Sequence, residues 1–73
     1  MSQKTRAEHM QWCKDRANEY IKAGDGQQAM SSMISDLRKH PETADSMPMA
    51  IALMNMTNAK DLSAVRKYVD GFN

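Results

Sequence analysis

Two groups of residues have types and spacing that could do chemistry, and the first is the pair His9 and Cys13. They lie four positions apart, so on a helix the imidazole would stand beside the thiol, as a general base beside a nucleophile. Cys13, however, falls on the apolar stripe of the same predicted helix, where a thiol is usually an inert small hydrophobic group. We therefore expect no catalysis from this pair.

The second group is the segment 40–43, with the sequence His-Pro-Glu-Thr, which combines an imidazole with a carboxylate. Pro41 restricts His40 to extended geometry and ends the preceding helix, while Thr43 can cap the next one. A helix stop and a cap account for the segment, with the imidazole packing or bonding locally. One cysteine and two histidines fall short of a closed four-ligand zinc site, and the sequence has no glycine-rich phosphate loop. We expect neither an enzyme nor a protein with a metal or cofactor.

The composition argues against nucleic-acid and membrane partners. Lys and Arg number 10 and Asp and Glu number 9, so the formal net charge is only +1. The basic residues are scattered along the chain, whereas a nucleic-acid interface masses them on one face. The longest apolar run, 47–56, is about half of a bilayer span. A single cysteine excludes an internal disulfide and fits the reducing cytoplasm, where we expect the protein to be.

Capping residues and helix stops divide the sequence into four amphipathic segments. Gly24 ends the first segment and Asp25 can cap the second, which stops before Pro41. Asp61 can cap the last segment, and Gly71 ends it. No window alternates with period two, so the sequence predicts an all-α fold in a single domain, 1–73. The predicted helices span residues 5–23, 26–39, 46–57 and 62–70.

Residues 47–56 carry four of the eight methionines of the sequence. On a helix, the apolar side chains of this run would occupy most sides rather than one stripe. We therefore expect a central methionine-rich helix with two antiparallel helical hairpins packed around it. Met49 and Met56 would then fill the core. The alternative for both is an exposed partner surface, since methionine serves in either setting.

The size of the chain favours self-association. A domain of 73 residues buries only about 60% of its unfolded surface, and four short helices can hardly surround a helix that is apolar on most sides. Without a disulfide or a metal site, a second subunit is the remaining way to enlarge the core. We expect a homodimer that uses part of the third predicted helix.

Residues 10–43 resemble a single tetratricopeptide-like helical hairpin. The positions that match its small, tyrosine, glycine, alanine, aromatic and proline positions are Ala17, Tyr20, Gly24, Ala29, Met33 and Pro41. Three positions depart from the pattern, since Cys13 replaces tryptophan, Arg16 replaces leucine and Asp36 replaces alanine. The pattern does not continue after Pro41, and stable arrays generally need three or more repeats. The resemblance implies a helical hairpin and hints at peptide or protein binding.

A second resemblance extends over nearly the whole chain. The segments that carry it are Arg6-Ala7-Glu8-His9, Trp12-Cys13-Lys14-Asp15-Arg16-Ala17, Glu19-Tyr20, Gly24-Asp25, Ser32-Met33, Ser35-Asp36-Leu37, Lys39-His40-Pro41-Glu42-Thr43 and Arg66-Lys67-Tyr68-Val69-Asp70-Gly71-Phe72. In these segments the sequence resembles a family of small, largely uncharacterised proteins of tailed bacteriophages. No activity is known for this family. The resemblance implies a phage protein made in the cytoplasm of a host bacterium.

The position of the sole tryptophan indicates an interaction surface. Trp12 projects about 100° or more from the apolar stripe of its predicted helix, beside Arg16 and Glu19. We therefore expect a small phage-encoded interaction module that binds a host protein and modulates or inhibits it, since tryptophan and arginine often carry interface energy. Its candidate contact residues are Trp12, Arg16, Glu19, Met49 and Met56. A structural role is the alternative for Trp12, and a small DNA-binding transcriptional regulator is the alternative for the protein.

Overall fold

The computed structural model describes residues 5–72 and places them in five helices joined by short turns. The helices are α1 (Arg6–Lys22), α2 (Gly26–Leu37), α3 (Pro41–Ala44), α4 (Met47–Met56) and α5 (Leu62–Asp70). This part of the chain contains no strand, so the all-α class is confirmed. The four predicted helices correspond to α1, α2, α4 and α5, with ends within two residues of the predicted ones. The short helix α3 is the element that the sequence prediction lacks.

Local capping chemistry sets where α1 and α2 begin and end. Thr5 and Glu8 form a reciprocal capping box at the start of α1. After α1, Gly24 adopts a φ of +80°, a left-handed conformation that favours glycine. The side chain of Asp25 then accepts the N–H of Gln28 and caps α2. The resulting tight turn makes α1 and α2 a closely packed helical hairpin.

The hydrophobic core lies between α1, α2 and α5. Its buried apolar residues are Met10, Cys13, Ala17, Ile21, Ala29, Met30, Met33, Leu37, Ala50, Val65, Tyr68, Val69 and Phe72. Phe72 follows Gly71, the C-cap of α5, and packs in the core, where its ring meets Tyr68 edge to face at 5.3 Å. The connection from α4 to α5 crosses the start of α2 so closely that a Cβ on Gly26 would collide with the carbonyl oxygen of Ala59.

The short helix α3 forms because the segment 40–43 satisfies its own backbone. His40 Nδ1 accepts the N–H of Glu42 at 3.1 Å, so His40 is the N-cap of α3. Thr43 is fully buried, and its Oγ1 donates to the carbonyl oxygen of Leu37 at 2.7 Å. These bonds turn the chain from α2 towards α4. The predicted helix stop and locally bonded imidazole match the geometry, but the predicted cap is wrong. The cap is His40 itself, while Thr43 lies inside α3 and bonds back to Leu37.

The methionine-rich helix α4 lies on the surface, so the prediction that it forms the centre of the core is wrong. Of its ten residues, all within the described part of the chain, Ala50 is the one that is buried. Met49 is 47% exposed and Met56 82% exposed, so neither fills the core as the sequence analysis expects. The reason is that side chains from α1, α2 and α5 already close the core, and α4 packs on α2 through one side. No helix within residues 5–72 combines the length and apolar character needed to cross a bilayer.

One buried hydrogen bond ties α4 to α5. The phenol of Tyr68 donates to the carbonyl oxygen of Ala50 at 3.0 Å. Burial raises the pKa of Tyr68 to about 12, because the charged phenolate would lose its hydration there. The phenol therefore remains a hydrogen-bond donor to α4 over the whole pH range in which an ordinary tyrosine is protonated.

Candidate protein-interaction surfaces

Trp12 lies half-buried on α1 at the centre of a cluster of charged and aromatic side chains. The guanidinium carbon of Arg16 is 4.9 Å from the indole centroid, and Lys39 Nζ is 5.5 Å from it. The ring of His9 packs beside the indole, with the two centroids 5.2 Å apart. Cations at these distances are attracted by the negative face of an aromatic ring. The structure thus brings together the predicted contact residues Trp12 and Arg16, and it packs the indole against the rest of the protein.

A buried carboxylate holds the two cations of this cluster in place. The side chain of Asp36 is 2% exposed, and its Oδ2 accepts the Nε–H of Arg16 at 2.7 Å. Its Oδ1 lies 3.2 Å from Lys39 Nζ, and Ser32 Oγ donates to Oδ2 at 3.3 Å. The side chains of Arg16 and Lys39 are each about half exposed, at 47% and 54%. Asp36 therefore holds two cations from the buried side, while the solvent-facing atoms of Arg16 and Lys39 remain accessible to a partner.

Asp36 and Lys39 are not among the contact residues predicted from the sequence. The sequence does contain a sign that Asp36 belongs with Arg16, because these residues are two of the three departures from the tetratricopeptide-like pattern. Each departure places a charge where a buried apolar or small residue is expected, and the structure pairs the two charges with each other. Two charged departures of opposite sign on paired helices indicate an ion pair between the helices, since an unpaired buried charge is costly.

Both histidines bond to backbone groups, His40 within the turn that it caps and His9 across to α2. His9 Nε2 lies 2.7 Å from the carbonyl oxygen of Asp36, so this nitrogen carries the proton and donates. The rings of His9 and His40 lie 5.0 Å apart, between the end of α2 and α1. Cys13, the other member of the pair considered for catalysis, is fully buried in the core. Within residues 5–72, no three His, Cys, Asp or Glu side chains are placed to hold a metal ion.

The exposed side of this cluster forms a ridge along α1. Trp12, Arg16 and Tyr20 are spaced four residues apart, which places them one above another on a single helix face. We call these three residues the α1 ridge. A shallow groove lies beside it, between α1 and α2, and is lined by Arg16, Tyr20, Lys39 and serines of α2. The predicted contact residue Glu19 is exposed and flanks the ridge beside Arg16 and Tyr20.

The surface on the other side of Glu19 carries charges of both signs. Asp15, Glu19 and Asp70 line a groove there together with Lys22 and Arg66. Arg66 is an exposed cation that a DNA-binding regulator, the alternative function, could use to contact phosphates. Acidic side chains around Arg66 oppose phosphate binding, because a nucleic-acid interface needs a continuous basic face.

The other predicted contact residues, Met49 and Met56, lie on α4. Together with Ala52 and Leu53 they occupy positions i, i+3, i+4 and i+7 of that helix, which is the spacing of one helix face. All four are exposed. We call these four residues the α4 stripe. Ala50, Met47 and Met54, which contact the rest of the protein, lie on the other side of the helix.

No protein-family model, curated protein or solved structure matches this chain. The resemblances to a tetratricopeptide-like hairpin and to proteins of tailed bacteriophages therefore stay predictions. The candidate contact residues lie on the α1 ridge, beside it at Glu19, and on the α4 stripe.

Proposed function

We propose that this chain is a protein-protein interaction module that binds a host bacterial protein through the α1 ridge. One observation carries the proposal. Trp12, Arg16 and Tyr20 are aligned on a single helix face, with Trp12 and Tyr20 partly exposed and the Arg16 side chain about half exposed. The buried carboxylate of Asp36 holds Arg16 in place. Tryptophan, tyrosine and arginine are the residue types that most often dominate the free energy of protein association.

The anchoring favours binding because it reduces the entropy lost on association. Immobilising a long side chain at an interface costs about 0.5–1.5 kcal/mol. Arg16 is already held between the Asp36 carboxylate and the Trp12 ring. Most of its side-chain entropy is therefore lost on folding and not on binding. The ridge is thus arranged before a partner arrives. Its half-exposed Arg16 and Lys39 favour a partner segment with acidic groups beside an apolar contact.

The resemblance to tailed-phage proteins supports the identity of the partner class. A phage protein is made in the cytoplasm of the infected bacterium, among host proteins, and we propose that this one modulates or inhibits a host protein by occupying one of its surfaces. The α1 ridge provides the contact with the host protein.

Affinity capture followed by calorimetry tests the proposal. The tagged full chain is used to retain host proteins from bacterial lysates, and a retained protein is then purified and titrated with the parent and its variants. We expect Trp12→Ala and Tyr20→Ala each to weaken the affinity at least about tenfold. Arg16→Lys keeps the charge but loses the planar group that lies over the indole, and it should weaken the affinity about fivefold.

The matched control is Lys22→Ala, which removes an exposed cation from the last turn of the same helix, away from the ridge. It should leave the affinity within about twofold of the parent. Far-ultraviolet circular dichroism verifies that each variant is folded. If no host protein is retained, or if folded Trp12→Ala and Tyr20→Ala variants bind as tightly as the parent, the ridge is not the contact surface.

A further inference from the structure

The α4 stripe has the geometry of a surface that packs against another helix. Met49, Ala52, Leu53 and Met56 repeat at three- and four-residue spacing, the pattern with which amphipathic helices bury one face. On the opposite side of α4, Ala50 and its neighbours already use this pattern to pack on the protein. Ala52 places a small side chain in the middle of the stripe, where two helices could cross closely. A second helix is therefore the shape that fits this face.

The charge distribution around the stripe indicates which helix would pack against it. No charged residue occurs between Asp45 and Lys60, and both of these are exposed. An uncharged stripe gives no electrostatic preference for a different partner and no repulsion against a copy of itself. Charges of opposite sign flank its two ends. An antiparallel copy would therefore set the acidic end of one stripe against the basic end of the other.

We infer that the α4 stripe packs antiparallel against the α4 stripe of a second copy of this chain, about a two-fold axis near Ala52. Such an axis makes the contact self-complementary, so each residue meets its symmetry-related counterpart. It places Asp45 beside Lys60 of the partner subunit at both ends, and it sets the two helix dipoles in opposition, which is favourable. This contact is separate from the α1 ridge, so its failure would leave the proposed function standing.

Arg6 and Asp61 also lie near the ends of α4, and each is hydrogen-bonded within the chain. Arg6 donates to the carbonyl oxygen of Glu42 at 3.2 Å and to Ser46 Oγ at 3.4 Å, at the start of α4. The carboxylate of Asp61 accepts amide protons from the first turn of α5 and serves as its N-cap. Substitutions of Asp45 and Lys60 therefore test the proposed contacts at the two ends of the stripe.

The size of the stripe sets the expected affinity. A helix of ten residues is about 15 Å long, so the contact is smaller than a standard protein interface of about 800 Å² per partner. We expect a dimer with a dissociation constant of the order of 10 µM, which forms at high concentration and separates on dilution.

Sedimentation equilibrium of the full chain, from about 1 to 300 µM, tests the inference. The parent should move from 8.3 kDa towards twice that mass as the concentration rises. Leu53→Asp and Met56→Asp each bury a charge in the proposed contact, and each should weaken association at least about thirtyfold. Met56 is 82% exposed, so its variant folds even if the Leu53 variant does not. Asn55→Asp is the matched control, because it adds the same charge to the same helix outside the stripe.

A charge swap tests the orientation. Asp45→Lys and Lys60→Glu each place like charges together at both ends of an antiparallel dimer, and each should raise the dissociation constant about tenfold at low salt. The double variant restores opposite charges and should return it to within about threefold of the parent. An 8.3 kDa monomer at every concentration overturns the inference, as does a dimer that Met56→Asp does not weaken. Failure of the double variant to recover overturns the antiparallel arrangement.

Discussion

The ion pair beneath Trp12 predicts that Asp36→Asn destabilises the fold although it changes a single polar atom. The substitution preserves the size of the side chain and removes its charge. Arg16 and Lys39 then face a neutral amide in place of the carboxylate that now lies 2.7 Å and 3.2 Å from them. Hydrogen bonds to charged groups contribute about 1 kcal/mol more than neutral ones. Two such bonds therefore give an expected loss of about 2 kcal/mol.

This magnitude lies between two limits. Exposed ion pairs contribute about 0–1 kcal/mol, while removing one member of a fully buried pair costs about 3–5 kcal/mol. The carboxylate of Asp36 is 2% exposed but its partners are about half exposed, so an intermediate value applies. In a domain of this length, 1 kcal/mol shifts the midpoint of thermal unfolding by about 4–8 °C. We expect Asp36→Asn to lower it by about 8–16 °C.

Thermal unfolding followed by circular dichroism at 222 nm measures the effect. The matched control is Asp15→Asn on α1, an exposed carboxylate that accepts a hydrogen bond from Gln11 at 2.8 Å. It should change the free energy of unfolding by no more than about 0.5 kcal/mol. Arg16→Ala combined with Asp36→Asn should destabilise less than the sum of the single effects, because both remove the same pair. Equal midpoints for Asp36→Asn and Asp15→Asn would refute this account of the cluster.

Three further predictions concern the core, alkaline stability and the rival function. Leu37→Ala empties a fully buried position and should cost about 2–5 kcal/mol, whereas Leu53→Ala on the exposed stripe should cost less than about 1 kcal/mol in urea unfolding of the monomer. Burial raises the pKa of Tyr68 to about 12, so its contribution to stability is complete below pH 10 and is lost as the pH rises through 12. Tyr68→Phe should abolish this part of the alkaline loss in pH-jump unfolding. Fluorescence anisotropy with random-sequence duplex DNA should show no binding at 50 mM salt, and micromolar binding that falls steeply with salt would favour the DNA-binding regulator.

The ends of the helices were predictable because the signals that set them are local. Asp25 and Asp61 cap helices within three residues of themselves, and Gly24 takes the left-handed conformation that the sequence indicates. The surface position of α4 could not be predicted from local signals of this kind. Periodicity tells which sides of a helix are apolar, but the sides that neighbours cover depend on how the other helices fill the core.

The candidate site was predictable only in part, for the same reason. Trp12 and Arg16 are neighbours on one helix, so their proximity follows from their spacing. Asp36 lies 20 residues from Arg16 in sequence, and its contact with that residue depends on the packing of α2 against α1. A single sequence contains one sign of this contact, the paired replacement of apolar or small residues by opposite charges at Arg16 and Asp36.

The attachment of α4 through Ala50 and the Tyr68 phenol implies that the protein opens in stages. A segment held by one fully buried side chain, one buried hydrogen bond and the partly buried Met47 and Met54 unfolds locally at a lower free energy than the hairpin of α1 and α2. Its amide protons should therefore exchange with solvent deuterium sooner than those of α2, where Met33 and Leu37 are fully buried. Any partner that covers the α4 stripe would slow this exchange, so the exchange rate of α4 reports occupancy of the stripe without a label.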